Sequence, residues 1–127
     1  MRFEVDDAGL GDVPGVALHG EVDLSVAETL EAALEDSIRE SVGAFIIDLS
    51  DLDFIDSTGL HVLVRARGLL SREDRALAVV CPHGPVRRVL ELSGVSDLFV
   101  LLESRQEAAA ALRRRRGSSV NGGSAPG

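Results

Sequence analysis

Between residues 45 and 70 the hydrophobic pattern changes period, and that change constrains the fold more than any other feature of the chain. Phe45-Ile46-Ile47-Asp48-Leu49 is apolar except for Asp48. This fits a central strand covered on both faces better than a half-exposed strand, which would alternate. After Asp56-Ser57-Thr58-Gly59, the residues Leu60, Leu63, Val64 and either Arg67 or Leu70 fall at helical spacing, which predicts a helix with one buried stripe. A buried strand that runs through a hydroxyl-bearing turn into an amphipathic helix is half of a β-α-β unit, so a layered α/β fold is expected.

The rest of the chain repeats the pattern. Phe3-Glu4-Val5 predicts a short first strand and Val16 to Val22 a second, and the turn-rich Gly9 to Gly15 between them predicts an antiparallel hairpin. Ser25-Val26-Ala27-Glu28 matches a capping box with Ser25 as N-cap, opening a helix whose stripe is Val26, Leu30, Ala33, Leu34 and Ile38 and whose stop is Gly43. Ala76 to Cys81 predicts the next buried strand. A helix then starts at Pro85, buries Val86, Val89 and Leu90 and ends at Gly94. Leu98 to Leu102 predicts the last strand, and Ser104-Arg105-Gln106-Glu107 a second capping box before an alanine-rich helix. The expected fold class is therefore α/β, a mostly parallel sheet with an antiparallel N-terminal hairpin. One domain is expected over 1–112, followed at 113–127 by a basic helix end and, from Gly117, a disordered low-complexity tail.

Charge and composition narrow the function. The net charge is −8, all 13 basic residues are Arg, and four of them form the run Arg113 to Arg116. The body without that run is more acidic still, which disfavours nucleic acid and anionic membranes and favours a basic protein surface. The Arg run itself is expected to be a last helical turn stabilised by the helix dipole. No apolar stretch approaches the roughly 20 residues of a membrane span, and the N-terminus lacks signal-peptide features, so a cytoplasmic protein is expected. The single Cys81 closes an apolar run and is expected to be a small buried thiol.

Enzyme chemistry finds little support. Asp56, Ser57 and His61 supply the residue types of a serine hydrolase, but the Gly-x-Ser-x-Gly elbow is missing and no oxyanion site is identifiable. A phosphoacceptor receiver domain has a similar alternation, with Asp6 and Asp7 as acids, but its chemistry uses a lysine and this chain has none. Neither glycine-rich phosphate loop occurs, and His19, His61 and His83 lack metal-ligand spacing, so no cofactor and no metal are expected. The turn itself stands out. Asp51, Asp53 and Asp56 crowd a predicted loop, and Gly59 sits in the first helical turn, where glycine costs about 1 kcal/mol relative to alanine. Asp56 and Ser57 read most simply as helix caps, yet local costs of this kind are expected where function sets the sequence.

Gly20-Glu21-Val22-Asp23 before a helix, Asp48-Leu49-Ser50 on a strand, Asp56-Ser57-Thr58-Gly59-Leu60, and Ser93-Gly94-Val95 after a helix together resemble the STAS domain, and more closely the bacterial anti-sigma-factor antagonists. The resemblance covers roughly residues 1 to 112. It implies a sheet of four or five strands with about four helices, and a partner-switching role. In that scheme an anti-sigma factor that is also a serine kinase of the GHKL ATPase type binds the unmodified antagonist. Phosphorylation then ends the complex, and a serine phosphatase restores it. Carried over by position, Ser57 matches the phosphoacceptor, with Thr58 the second choice. Asp23 matches the acidic loop residue near it, Asp56 precedes it and Gly59 allows close backbone approach. His61 stands where the family often has glycine, and with Asp23, Asp56, Ser57, Thr58 and Gly59 it completes the expected partner-binding set. The chain is expected to be a monomer or weak dimer and not an enzyme. The competing expectation is a STAS subunit that docks on an ABC transporter ATPase or another scaffold without phosphorylation.

Overall fold

The computed structural model describes residues 3–124, with side chains through residue 114. Five strands lie in the sheet in their order along the chain: β1 (Phe3–Asp7), β2 (Gly15–Val22), β3 (Phe45–Ile55), β4 (Leu77–Val80) and β5 (Val100–Leu102). β1 pairs antiparallel with β2, and every later pairing is parallel. The helices α1 (Ala27–Arg39), α2 (Ser57–Arg72) and α3 (Pro85–Leu92) are the crossovers, and α4 (Arg105–Ser124) follows the last strand.

The apolar run of β3 is explained by what covers it. Phe45, Ile47 and Leu49 face the larger core, with Leu30, Leu34 and Ile38 of α1, Leu63 and Leu70 of α2, and Val86 and Leu90 of α3. Ile46 faces a smaller core on the other side, with Ala78, Val80 and Ala108, Ala109 and Leu112 of α4. The small residues let α4 lie close to the strands. Asp48 shares that second face. It is buried, and the Arg105 Nε of α4 donates to its Oδ2 at 2.6 Å. Burial pushes this carboxyl upward, but hydrogen bonds from Ser50 and Arg105 together outweigh it and hold the group below the usual carboxylate range.

Several local expectations are corrected. β3 does not stop near Leu49: its parallel pairing with β2 resumes after two register shifts and reaches Val22↔Ile55. Asp51 and Asp53 are therefore exposed strand residues, not members of a crowded loop. The His19 imidazole lies between Asp6 of β1 at 3.0 Å and Asp51 of β3 at 3.4 Å, which ties the three strands across one face. The first capping box does not form. Val26 is the N-cap of α1 with no side-chain bond, because Ser25 is engaged by Asp23, whose Oδ1 accepts from its N–H and its hydroxyl. Nor does Gly43 end α1, whose C-cap is Glu40. Arg75, from the α2–β4 connection, crosses to that helix end and donates to the Ile38 carbonyl at 2.8 Å, the Gly43 carbonyl at 2.6 Å and the Ser41 hydroxyl at 2.9 Å. The distant guanidinium thus joins the Ser41 N–H and hydroxyl on the Ile38 carbonyl and ties the helix end to the Gly43 turn.

Toward the C-terminus, Leu60, Leu63 and Leu70 form the buried stripe of α2 with Val62 and Ala66, while the expected Val64 is only half-buried and Arg67 is exposed. Val95–Leu98 is a 3-10 turn after the left-handed Gly94, so the last strand is shorter than expected. In the second capping box the Ser104 hydroxyl accepts from the Glu107 N–H as expected, but the Glu107 carboxylate reaches the N–H of Glu103, one residue earlier. The backbone of α4 continues to Ser124, past Gly117 where the tail is expected to leave the fold. Residues 125–127 lie outside the described residues. Cys81 is buried as expected, and burial pushes its thiol up to about 11.

Candidate functional site

The carboxyl end of the long β3 arm meets the start of α2 beside the loop that joins β2 to α1. The two connections are fastened to one another: the Asp56 N–H donates to the Val22 carbonyl at 3.1 Å, and the Leu24 backbone N–H approaches the Asp56 carboxylate. Asp56 is the N-cap of α2. Its Oδ1 accepts from the Thr58 hydroxyl at 2.7 Å, the Thr58 N–H at 3.0 Å and the Gly59 N–H at 3.1 Å. The Thr58 hydroxyl, with the backbone donors of Gly59, Thr58 and Leu24, holds the Asp56 carboxyl below the usual carboxylate range against the effect of burial.

Ser57 is the first residue of the helix and is exposed, and its hydroxyl has no partner among the described residues. Neighbours and acceptor have divided the work. The Asp56 carboxylate accepts from the Thr58 and Gly59 amides of the helix start and from the Thr58 hydroxyl, which leaves the exposed Ser57 hydroxyl capping nothing. Two of the amide donors that would otherwise receive an anion at this terminus, those of Thr58 and Gly59, are already taken by Asp56. A phosphoryl group on Ser57 would therefore sit beside a standing negative charge rather than fill an empty cradle.

Gly59 is buried against the sheet, not left open toward solvent. A Cβ there would lie 2.6 Å from Cγ1 of Ile55 and 2.7 Å from Cγ1 of Val22. The close backbone approach expected at this glycine is made to the protein's own strands, and it sets how low the helix start sits over them. Asp23 occupies the adjoining loop, where its carboxylate organises the turn through Ser25. His61 is exposed one turn along α2. Among the described residues Ser57 and His61 share no hydrogen bond, so no hydrolase-like relay is assembled.

Two residues at this end escaped the sequence reading. Leu24 is 75% exposed and Phe54 47% exposed, one in the β2–α1 loop and one near the end of β3. Leu24 has Val22 and Val26 two residues away, and Phe54 has Leu52 two residues before it and Ile55 beside it, so both look like strand-core residues and the sequence pattern carried no signal of their exposure.

The fold, with its sequential strand order and its β3–α2 junction, is one that known proteins share. The STAS domain family model matches residues 5–108, and the chain belongs to the STAS domain family, among relatives that include the bacterial anti-sigma-factor antagonists. The anti-sigma-F factor antagonist RsfB of Mycobacterium tuberculosis is 30% identical over 110 residues, covering 84% of this chain and 89% of its own length. BtrV of Bordetella bronchiseptica is 37% identical over 97 residues, covering 76% and 83%. The crystal structure of an anti-sigma factor antagonist from Mycobacterium paratuberculosis superposes with a TM-score of 0.80 at 29% identity, covering 88% of this chain and 95% of that one. Among the described residues no helix is long and apolar enough to cross a membrane.

Proposed function

We propose that this chain is a cytoplasmic anti-sigma-factor antagonist, a regulatory binding protein that acts by partner switching, with Ser57 as the phosphoacceptor. Unmodified, it binds an anti-sigma factor that is a serine kinase of the GHKL type and so frees the sigma factor. Phosphorylated on Ser57 it is released, and a serine phosphatase returns it to the binding form. The single observation that carries the reading is the exposed Ser57 hydroxyl at the start of α2, without an internal partner while Thr58 and Asp56 are bonded to each other. This ranks Ser57 above Thr58 as acceptor, because phosphorylating Thr58 would first break its bond to Asp56. The names borne by RsfB and by the paratuberculosis protein support the same role.

The docking face on this reading is the Ser57 turn with Asp23, Asp56, Gly59 and His61, to which the exposed Leu24 and Phe54 add apolar contact. Desolvated apolar anchors near the centre of an interface carry much of its affinity. Phosphoserine adds about −1.5 to −2 charges. One like-charge pair at 4 Å costs about 4 kcal/mol at an effective dielectric of 20, and half of that already weakens binding more than tenfold. With the Asp56 carboxylate occupying the Thr58 and Gly59 amides, the added charge is directed at the partner, and no change of fold is required.

The test is to incubate the protein with ATP and its cognate kinase, to locate added phosphate by mass spectrometry, and to compare Ser57→Ala with Ser57→Asp in binding that kinase. Phosphate on residue 57, with Ser57→Asp bound at least about tenfold more weakly than Ser57→Ala, is the expected result. Equal binding of the two would overturn the switch. Unphosphorylated protein recovered on a transporter ATPase would instead identify a docking subunit.

A further inference from the structure

Among the described residues β1 is a sheet edge, with β2 as its one partner in the sheet. Its outer side therefore presents backbone donors and acceptors that another strand could take. Beside it, between the sheet and α1, runs a groove of about 450 Å³. Val5, Pro14, Val16, Ala33 and Phe45 contribute its apolar lining, Asp6, Asp7 and Glu40 its acidic residues, and among the described residues no basic residue lines it. The opposite face of the same edge is acidic as well. Glu4 alternates with Val5 and so points away from the groove, and Asp6, although it also borders the groove, has its carboxylate on that opposite face, 3.0 Å from His19.

From this edge and groove we propose that β1 is a second docking surface, distinct from the Ser57 turn, and that it takes an extended segment of a partner protein in which apolar and basic residues alternate. A strand added to β1 directs successive side chains to opposite faces. Apolar side chains at every second position enter the groove over Val5 and Phe45. The basic side chains between them meet Glu4 and Asp6 on the other face, as cross-strand pairs of opposite charge. A further cation at the segment's end meets Asp7 or Glu40. A second copy of this chain fits poorly, because pairing two β1 edges sets Glu4, Asp6 and Asp7 against their own counterparts, and like charges across strands destabilise pairing. The same acids that keep copies apart select a basic strand.

The probe is the peptide acetyl-Arg-Val-Arg-Val-Arg-Val-Arg-amide, added to the isotope-labelled full chain and followed by amide NMR shifts. A control peptide has the same composition with its Arg and Val residues in separate blocks. The expected result is shifts confined to Phe3–Asp7 and to the Ala33–Glu40 half of α1, slowed amide exchange on β1, and binding of the control weaker by about tenfold. The exposed double change Glu4→Lys with Asp6→Lys weakens the alternating peptide by a similar factor, Ala33→Phe fills the groove and does the same, and Ser57→Ala leaves binding unchanged. Equal binding of both peptides, shifts centred on the Ser57 turn, absence of shifts at millimolar peptide, or dimerisation through β1 would each overturn the proposal. None of those results would touch the role of Ser57.

Discussion

Two glycines in the same helix are expected to respond to the same substitution with opposite signs. Gly59→Ala introduces a Cβ 2.6 Å from Cγ1 of Ile55, 2.7 Å from Cγ1 of Val22 and 3.1 Å from Cδ1 of Ile55. Carbon atoms pack best at about 3.5–4.0 Å, so the overlap is close to an ångström. Val22 and Ile55 are fully buried on neighbouring strands, and a β-branched side chain has little rotamer freedom with which to retreat. Relief must come from lifting the first turn of α2 off the sheet. Overpacking of this kind costs about 1–3 kcal/mol, against a gain of about 1 kcal/mol from replacing glycine in a helix. With two contacts under 3.0 Å to buried side chains the cost lies in the upper part of that range, about 2–3 kcal/mol, and we expect a net loss of about 1–2 kcal/mol. At Gly68 a Cβ meets nothing within 4 Å, so there the propensity gain stands alone and Gly68→Ala should stabilise by about 0.5–1 kcal/mol. Urea unfolding followed by circular dichroism reads both, as midpoints that move in opposite directions with unchanged slope. A Gly59→Ala protein as stable as the wild type would mean that α2 does not rest on Val22 and Ile55 as described.

Asp56 and Asp48 are both held below the usual carboxylate range. The stability they contribute is therefore complete above the unfolded carboxylate range, near pH 4, and is lost as the pH falls through their lower folded values. Asp56→Asn keeps a capping oxygen, so it should lie within about 1 kcal/mol of wild type at pH 7 and show a shallower loss in an acid titration of unfolding. A titration limb as steep as that of the wild type would remove Asp56 from this account. Arg75→Ala should cost about 1–2 kcal/mol, since it removes three hydrogen bonds that tie the end of α1 to Ser41 and Gly43, while the Ile38 carbonyl keeps the Ser41 N–H and hydroxyl as donors. Thermal unfolding with no shift in Tm would refute that role. Cys81, its thiol raised to about 11 by burial, should resist alkylation at pH 8 in the folded chain and react once urea unfolds it, as mass spectrometry of iodoacetamide adducts will show.

Elements whose residues face one environment along their whole length were legible in the sequence. The apolar run of β3, the stripe of α2 and Pro85 at the start of α3 each announce themselves over several residues. Contacts made across the sequence were not. Arg75 looks like a surface arginine until the end of α1 is seen beside it, and Asp51 and Asp53 look like loop residues until β2 supplies their partner strand. The failed capping box shows the limit from the other side: Ser25 and Glu28 have the right spacing, but Asp23 offers the Ser25 hydroxyl a nearer acceptor, and a turn forms where a cap was expected. At the candidate site the residue types were legible and their division of labour was not. Sequence placed Asp56, Ser57, Thr58 and Gly59 together, but it could not tell that the carboxylate and the threonine bind each other, that the glycine is buried in helix–sheet contact, or that Leu24 and Phe54 stand exposed nearby.

The turn before α2 has separated two kinds of genetic information into adjacent codons. Alleles of Asp56, Thr58 and Gly59 alter how the helix is built, so their phenotypes mix defective assembly with defective signalling. Codon 57 lies in the midst of them yet contributes no bond to that construction, and a library of substitutions there would report on regulation with little interference from protein abundance.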